Sequence, residues 1–319
     1  MKPEIKPRLK AGIRLLVGML LVPQMLLLAG CGGGSEIERM MVDASGSARE
    51  ALSAEAQAGE LSAMQHLTIA STALGKAMKI NVYLPEGYSD GKDVYPVLYA
   101  LHGKNGNENS FFANGLNMGE KAAKLAREGR IKPMIIVAPQ LDNSYGVNSA
   151  EKPKDKNEYQ LGMYEDFLIK EVIPAIDASF NTIKSREGRY IGGISMGGYA
   201  ALHLAFTYPS MFSKVGGHSA AVWEETPEYL TWLYGGESTQ EEVDPVRLAA
   251  QGKALDLAVY LDHGSKEHEH IAAGNKALIA ELDKTGASYE FHTSSGGHNN
   301  KYWAAHIEDY LLFYDGTSK

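Results

Sequence analysis

The sequence predicts an α/β fold, in which helices cover both faces of a mostly parallel sheet. From about residue 66 onwards, short apolar runs of strand length alternate with longer segments that have helical spacing. A Gly-x-Ser-x-Gly motif at 193–197 falls where a predicted strand passes into a predicted helix. Hydrophobic residues make up 44% of the 319-residue chain, which is enough for a globular core.

The individual strands and helices are predicted from the period of their apolar residues. Segment 79–84 alternates apolar and polar side chains, whereas 95–101 is a dense apolar run. In chain order, the predicted strands are 79–84, 95–101, 134–138, 189–194, 257–261 and 289–292. The predicted helices are 119–128, 164–180, 199–206, 271–284 and 302–313. A further strand is expected between helix 199–206 and Trp223.

Three long segments interrupt this alternation: 104–117, 140–162 and 220–245. The first is rich in glycine and asparagine, the second is polar, and the third contains Trp223 and Trp232. Long loops on an α/β sheet usually lie over the site where ligands bind. We therefore expect these loops to overhang such a site, with packing of their aromatic side chains beneath the loops as the alternative.

The first 30 residues have the pattern of a targeting segment rather than of a folded domain. Five basic residues precede an apolar run at 15–29, which is followed by Gly30 and by Cys31, the only cysteine. This arrangement resembles the lipobox of bacterial lipoproteins, in which the cysteine is acylated; an ordinary signal peptide is the alternative. The sequence predicts a signal peptide at 1–30, a tether at 31–65 and a folded domain at 66–319. We expect an exported protein, lipid-anchored to a bacterial membrane on the periplasmic or cell-surface side.

Charge and cysteine content exclude several classes of function. The formal charge is −8, and loss of residues 1–30, with five basic residues and one acidic residue, changes it to −12. An acidic chain is a poor candidate for nucleic-acid binding. A single cysteine excludes an intrachain disulfide and a CxxC site. The i, i+2 spacing of His268 and His270 is expected to place their rings on opposite sides of a helix, so we expect no metal site.

The Gly-x-Ser-x-Gly motif indicates a nucleophilic serine, because its strand–turn–helix setting exposes the hydroxyl group at the carboxyl end of a central strand. Ser195 would occupy that turn. The backbone N–H of Met196, at the helix start, would then be one donor to an oxyanion. Nucleophilic attack by a serine needs no cofactor, and we expect none.

A serine hydroxyl group is a weak nucleophile unless a base accepts its proton. His298 is the candidate base, because it follows the last predicted strand and its loop can reach back over the sheet. The acid that orients this histidine should follow strand 257–261. Asp262, Glu267 and Glu269 are therefore the candidates for the acid.

Four motifs of the chain, in this order, resemble those of α/β-hydrolase esterases related to esterase D, tributyrin esterase, feruloyl esterases and the antigen 85 group. They are Leu101-His102-Gly103, Ile194-Ser195-Met196-Gly197-Gly198, the stretch from Leu261 to Glu267, and Gly296-Gly297-His298 with Trp303. The resemblance implies the α/β-hydrolase fold from about residue 80 onwards. It places the acid at Glu267, where the family usually has Asp, and Asp262 stays open as the alternative.

The same resemblance implies a serine carboxylesterase that works through an acyl-enzyme. Its substrates would be short-chain or aromatic acyl esters, of acetyl or feruloyl type, on small molecules or plant polysaccharide. The second oxyanion donor is expected at the N–H of Gly103 or Lys104. Trp223 and His102 are expected to contact the substrate.

Three other functions stay open. A siderophore esterase would need cationic side chains near the site, for which Lys104 or the lysine-rich stretch 152–156 are candidates. An acyltransferase of the antigen 85 type would need a site that excludes water. A carbohydrate-binding surface lipoprotein could retain the fold without catalysis, but the intact Ser195 and His298 argue against it.

Overall fold

The computed structural model of the protein describes residues 64–89, 91, 93–149, 158–234 and 238–316. The predicted signal peptide, Cys31 and the lysine-rich stretch 152–156 lie outside the described residues. Within the described part of the chain, no helix combines the length and the apolar character needed to cross a bilayer.

Ten strands are formed by the described residues, and eight of them make one sheet. The strands are β1 (Met64–Ser71), β2 (Lys76–Tyr83), β3 (Val97–Leu101), β4 (Ile135–Pro139), β5 (Asn148–Ser149), β6 (Gly162–Met163), β7 (Arg189–Ile194), β8 (Lys214–His218), β9 (Ala258–Gly264) and β10 (Tyr289–Ser294). The sheet order is β1-β2-β4-β3-β7-β8-β9-β10, and β5 pairs separately with β6. The β1–β2 and β2–β4 pairs are antiparallel and the others in this sheet are parallel.

The register of the parallel strands aligns their carboxyl ends at one edge of the sheet. Leu101 pairs with Gly193, Ile194 with His218, and His218 with Asp262. The segments that leave β3, β7, β8 and β9 therefore start side by side, which is where ligand sites form in open α/β sheets.

Helices cover both faces of this sheet, as the apolar patterns predict. They are α1 (Met118–Arg127), α2 (Tyr164–Asp166), α3 (Ile173–Ser179), α4 (Met196–Thr207), α5 (Gln240–Val243), α6 (Pro245–Ala250), α7 (Glu269–Thr285) and α8 (Asn300–Asp315). Helices α1 and α8 share a core cluster with Leu98 and Tyr190, whereas α4 and α7 share the other cluster with Tyr99 and Ile191. This division follows from strand geometry, because successive side chains point to opposite faces.

The centre of the sheet carries glycines where helix α8 packs closely against it. The hydroxyl group of Tyr314 lies over Gly192 and Gly216, in β7 and β8. A Cβ atom at these two positions would lie only 1.7 and 2.1 Å from that hydroxyl oxygen. Tyr314 itself is buried, so it fills the space that the two missing side chains leave.

The predicted strand 189–194 coincides with β7, but other elements differ from the prediction. Strand β1 was not predicted, and it begins at Met64, two residues before the predicted start of the domain. The predicted helix 164–180 is divided into α2, a π-helical segment (Phe167–Val172) and α3. Pro174, which has no N–H for the helical ladder, lies two residues beyond the π-helical segment.

Candidate active site

Ser195 lies on the sharp turn between β7 and α4. Its backbone has φ 56° and ψ −114°, a conformation that is strained for any residue with a side chain. The surroundings fix the turn: the Ser195 N–H donates to the His218 carbonyl oxygen at 2.9 Å. A Cβ atom at Gly197 would lie 2.0 Å from the Leu101 carbonyl oxygen, so only glycine permits this approach. The motif thus forms the tight strand-to-helix turn that its glycines predict.

The structure brings Ser195, His298 and Glu267 together in one chain of hydrogen bonds. The Ser195 Oγ lies 2.8 Å from Nε2 of His298, and Nδ1 of His298 lies 2.9 Å from Oε1 of Glu267. With the proton on Nδ1, His298 donates to Glu267 and its Nε2 accepts from the serine hydroxyl group. The Glu267 side chain is 1% exposed and that of His298 is 15% exposed. The base is therefore accessible from the cavity, while the acid is enclosed.

The pKa of Glu267 lies below its usual value although the carboxyl group is buried. Desolvation raises this pKa, but hydrogen bonds from the His298 ring and the His268 backbone N–H outweigh that cost. The His268 N–H donates to Oε1 at 2.7 Å. Glu267 is therefore ionised at neutral pH and can stabilise a protonated His298.

Asp262, the alternative acid, is held elsewhere. Its Oδ2 accepts hydrogen bonds from the hydroxyl groups of Tyr302, at 2.7 Å, and Tyr310, at 2.9 Å. Its Oδ1 lies 3.1 Å from Nδ1 of His218. The side chain is 2% exposed and belongs to the interior beneath the site. At His298 Nδ1, the position of the acid is taken by Glu267.

The loop after β3 lies against the serine. A Cβ atom built on Gly103 would be 3.5 Å from Cβ of Ser195. The Gly103 carbonyl oxygen is 2.8 Å from Nδ1 of His102 and accepts from the Gly106 N–H at 3.0 Å. A trans peptide holds its C=O and N–H on opposite sides, so the Lys104 N–H points away from His102 Nδ1 and from the Gly106 N–H. This orientation leaves the Lys104 N–H able to donate to a ligand.

His102 is fixed in a neutral form by its two partners. Its Nε2 accepts the Leu141 N–H at 2.9 Å, so the single proton resides on Nδ1 and is donated to Gly103. Burial lowers the pKa of His102, which agrees with this assignment. The sequence led us to expect a substrate contact here. His102 lines the cavity, but both of its nitrogens are used within the protein and hold the loop. A substrate contact at His102 stays a prediction.

A cavity of about 590 Å³ opens above Ser195, and the two longest loops supply its aromatic wall. Tyr145 and Tyr159 come from the 140–162 segment, and Trp223 from the 220–245 segment. The ring centroids of Tyr145 and Trp223 are 5.8 Å apart, and those of Tyr145 and Tyr159 are 6.1 Å apart. These side chains line the cavity, whereas Trp232 packs behind Tyr159 with centroids 5.3 Å apart.

Among the described residues that line the cavity, Lys104 is the only lysine or arginine, and none is Asp or Glu. The Nζ of Lys104 is 2.6 Å from Oε2 of Glu158 and lies 4.6 Å from the centre of the Tyr159 ring. The charge that Lys104 could offer to a siderophore is thus already paired with a carboxylate, while the other candidate, the stretch 152–156, lies outside the described residues.

The expectation about His268 and His270 was wrong in its geometry. His268 precedes helix α7 as its N-cap, so the two rings are not on opposite sides of a helix. They lie face to face, with centroids 5.7 Å apart and planes at 8°. His268 also contacts the ring of His298, with centroids 5.3 Å apart. Among the described residues, no group of three side chains is arranged to hold a metal ion.

Several residues at the site were not identified by the sequence analysis. Ser219 follows β8, whose two central glycines conceal the strand pattern. Tyr145 and Tyr159 lie in a polar segment that gives no sign of which aromatic residues face the cavity. Ser219 could have been found from the sheet topology, because a strand is expected between the nucleophile strand and the acid strand and Ser219 directly follows it.

The fold and the strained turn define an α/β hydrolase. A solved structure described as a ferulic acid esterase superposes with a TM-score of 0.66 at 24% identity, and the match covers 79% of this chain and 97% of that chain. Residues 71–314 match the Esterase family, described as "Putative esterase", and the chain belongs to that family. The predicted fold class and family are confirmed.

Two curated relatives are informative. An endo-1,4-beta-xylanase/feruloyl esterase of Xylanibacter ruminicola is 32% identical over 242 residues, which are 72% of this chain and 29% of the relative. Esterase MT1326 of Mycobacterium tuberculosis is 26% identical over 262 residues, which are 72% of this chain and 54% of the relative. The match therefore spans between about a third and a half of the length of these relatives.

Proposed function

We propose that the protein is a serine carboxylesterase that hydrolyses short-chain or aromatic acyl esters. The observation that carries this proposal is the unbroken chain from the Ser195 hydroxyl group through His298 to the ionised Glu267, at the foot of an open cavity. Such a chain activates a hydroxyl group for attack on an ester carbonyl.

In this mechanism, Ser195 Oγ attacks the ester carbonyl carbon while Nε2 of His298 takes the hydroxyl proton. The Glu267 carboxylate stabilises the imidazolium without taking its proton. His298 then gives the proton to the leaving alcohol, which departs and leaves an acyl group on Ser195. Water enters, loses a proton to His298 and releases the acid, and Ser195 regains its proton.

The tetrahedral intermediates carry a negative oxygen, which needs donors that are already in place. The Met196 N–H at the start of α4 is one such donor. For the second, the fixed orientation of the Gly103 carbonyl group favours the Lys104 N–H over that of Gly103. We assign the oxyanion hole to Met196 and Lys104 on this basis.

The cavity lining supports the substrate class. Tyr145, Tyr159 and Trp223 offer flat apolar faces for a planar acyl group, and the amide side chains of Asn105 and Asn114 line the cavity too. The name of the xylanase/feruloyl esterase relative agrees with a feruloyl ester on polysaccharide. We propose acetyl or feruloyl esters, on small molecules or plant polysaccharide, as substrates.

The nucleophile can be tested with the full chain and p-nitrophenyl acetate. Ser195→Ala and His298→Ala should each lower kcat by roughly 10³-fold or more with the fold intact, and the double variant should be little worse than either. Ser213→Ala, which changes a serine outside the cavity, is the matched control. Near wild-type turnover in Ser195→Ala would overturn the proposal.

We further propose that the protein is exported and held at a membrane by acylation of Cys31. The support is the sequence alone: a basic segment, an apolar run and a cysteine directly after small residues. In this proposal residues 1–30 are removed, 31–65 act as a tether and the esterase domain follows. A lipid on the cysteine holds the domain at the membrane without a spanning helix.

A further inference from the structure

Ser219 is a buried residue at the junction of the strands that carry the site. It directly follows β8, its side chain is fully buried, and its backbone has φ 46°. The Ser219 N–H donates to the Asp262 carbonyl oxygen at 2.8 Å, and the preceding carbonyl group accepts from Ser195 N–H. A left-handed backbone at a residue other than glycine is costly and persists where neighbouring structure enforces it.

The hydroxyl group of Ser219 is bound by a tryptophan that also contacts the base. The Trp303 Nε1–H donates to Ser219 Oγ at 3.2 Å. The Trp303 ring meets the His298 ring with centroids 5.1 Å apart and planes at 82°. Because an indole N–H only donates, the Ser219 hydroxyl proton is not used in this bond and is available to an acceptor.

Glu267 supplies the acceptor. Its Oε1 takes hydrogen bonds from His298 and His268, whereas its Oε2 is buried and has no partner that meets ordinary hydrogen-bond geometry. A smaller contribution from hydrogen bonding to the Ser219 side chain lowers the pKa of Glu267, which places that hydroxyl group near the carboxylate. A buried carboxylate oxygen without a donor is costly, and the Ser219 proton can remove that cost.

We propose that Ser219 is a positioning residue for the acid: held by Trp303, its hydroxyl group donates to Oε2 of Glu267. This inference rests on the proposed esterase mechanism. The glutamate side chain has one more rotatable bond than the aspartate usual in the resembling esterases. A donor on Oε2 restricts that extra freedom and keeps Oε1 aligned with Nδ1 of His298.

The test compares Ser219→Gly and Ser219→Ala in the full chain, with p-nitrophenyl acetate as substrate. Glycine adopts φ near 46° without strain, so Ser219→Gly keeps the fold even if Ser219→Ala does not. Both variants should lower kcat by about 10- to 150-fold with KM unchanged, the loss expected for a hydrogen bond to a charged group. Wild-type kcat in Ser219→Gly would overturn the proposal.

A double-variant cycle separates positioning from a general structural role. In a Glu267→Gln background, Ser219→Gly should change kcat less than twofold, because the carboxylate on which Ser219 acts is gone. A loss as large as in the wild-type background would contradict action through Glu267. If Ser195→Ala itself retained activity, the esterase mechanism would be wrong; if only Ser219→Gly had no effect, this inference alone would be wrong.

Discussion

Two carboxylates lie near the end of β9, and their surroundings give them different tasks. Glu267 faces the ring of His298 and accepts a hydrogen bond from its Nδ1–H through Oε1. Asp262 instead accepts from the hydroxyl groups of Tyr302 and Tyr310, both in α8, and so ties that helix to the sheet. Both carboxylates are buried, so removal of either charge leaves the groups that donate hydrogen bonds to it without a charged acceptor.

Glu267→Gln and Asp262→Asn are expected to fail in different ways. Glu267→Gln should lower kcat by about 10²- to 10⁴-fold, because the amide neither stabilises the imidazolium nor fixes its tautomer. Asp262→Asn should leave kcat within several-fold of wild type and lower Tm. Steady-state kinetics and thermal unfolding of both variants measure this. The reverse ranking of kcat would make Asp262 the acid.

The proposed nucleophile and base could be named from the sequence because their signals are local. Ser195 lies in a motif whose glycines are required by the turn itself, and His298 lies in a loop between recognisable elements. The choice between Asp262 and Glu267 depends on which side chain reaches a ring brought from 31 residues away. Side-chain reach across a fold has no local signal, and the resemblance to known esterases was needed to rank the two.

Besides presenting Ser195, helix α4 holds the two cavity loops through His203. His203, in its third turn, lies 2.8 Å from Oε2 of Glu165 through Nε2 and 2.9 Å from the Val243 carbonyl oxygen through Nδ1. Both partners are oxygen acceptors, so each ring nitrogen faces a group to which it can donate. Since Glu165 follows the 140–162 loop and Val243 lies within the 220–245 segment, this imidazole fastens both cavity loops to α4.

This contact predicts a pH-dependent contribution to stability. Desolvation raises the pKa of Glu165, but hydrogen bonds from His203 and Tyr208 and the charge of His203 outweigh it, so the pKa lies below its usual value. A depressed carboxyl pKa stabilises the fold above the unfolded value of about 4.3, and the gain is lost as pH falls through the folded pKa.

Glu165→Gln should therefore lower the free energy of unfolding by about 1–3 kcal/mol at pH 7. The difference from wild type should shrink as the pH falls below about 4.3, where Glu165 of the unfolded chain takes up a proton, and should be lost below the folded pKa. Urea unfolding of both proteins between pH 7 and pH 3 measures the effect. A difference that is constant over this range would show that the charge of Glu165 contributes nothing.

We expect the loops at the cavity to determine which acyl groups fit. Trp223→Ala should raise KM for feruloyl esters more than for p-nitrophenyl acetate, because only the larger acyl group uses the indole face. Trp232→Ala is the matched control, since it removes an indole that packs behind the wall. Among acetate, butyrate, octanoate and ferulate esters, kcat/KM should not peak at octanoate. A maximum there, or an equal effect of Trp223→Ala on every ester, would favour a lipase or a lipid acyltransferase.

The strands with a clear apolar pattern were predicted with bounds, whereas β8 was expected only as a strand without bounds and β1 was not predicted. Strand β7 is buried throughout. In β8, Tyr314 and Leu202 occupy the space beside Gly216 and Gly217. Strand β1 lies at the sheet edge with a half-exposed pattern. A strand that has glycines where another element packs closely loses the alternating pattern on which sequence prediction depends.

At the scale of the whole molecule, the anchor remains a prediction with a direct test. Cys31→Ser should abolish labelling by a radioactive or clickable fatty acid in a bacterial host and leave the precursor uncleaved by the lipoprotein peptidase. Cys31 is the only cysteine, so no other thiol can take the lipid. Labelling that persists in the variant would refute the lipoprotein assignment, and ester hydrolysis by the variant should be unchanged.

The packing of Tyr314 over Gly192 and Gly216 also determines when, during synthesis, the core can close. Gly216 is made 98 residues before Tyr314 (314 − 216), which takes about 5–20 s at 5–20 residues per second. Until helix α8 is made, the face of the sheet at Gly192 and Gly216 lacks the Tyr314 ring that fills the space beside them. The core of the domain therefore closes only after α8 has been made. For a chain that is exported, as we propose for this one, late closure of the core leaves the chain unfolded for longer.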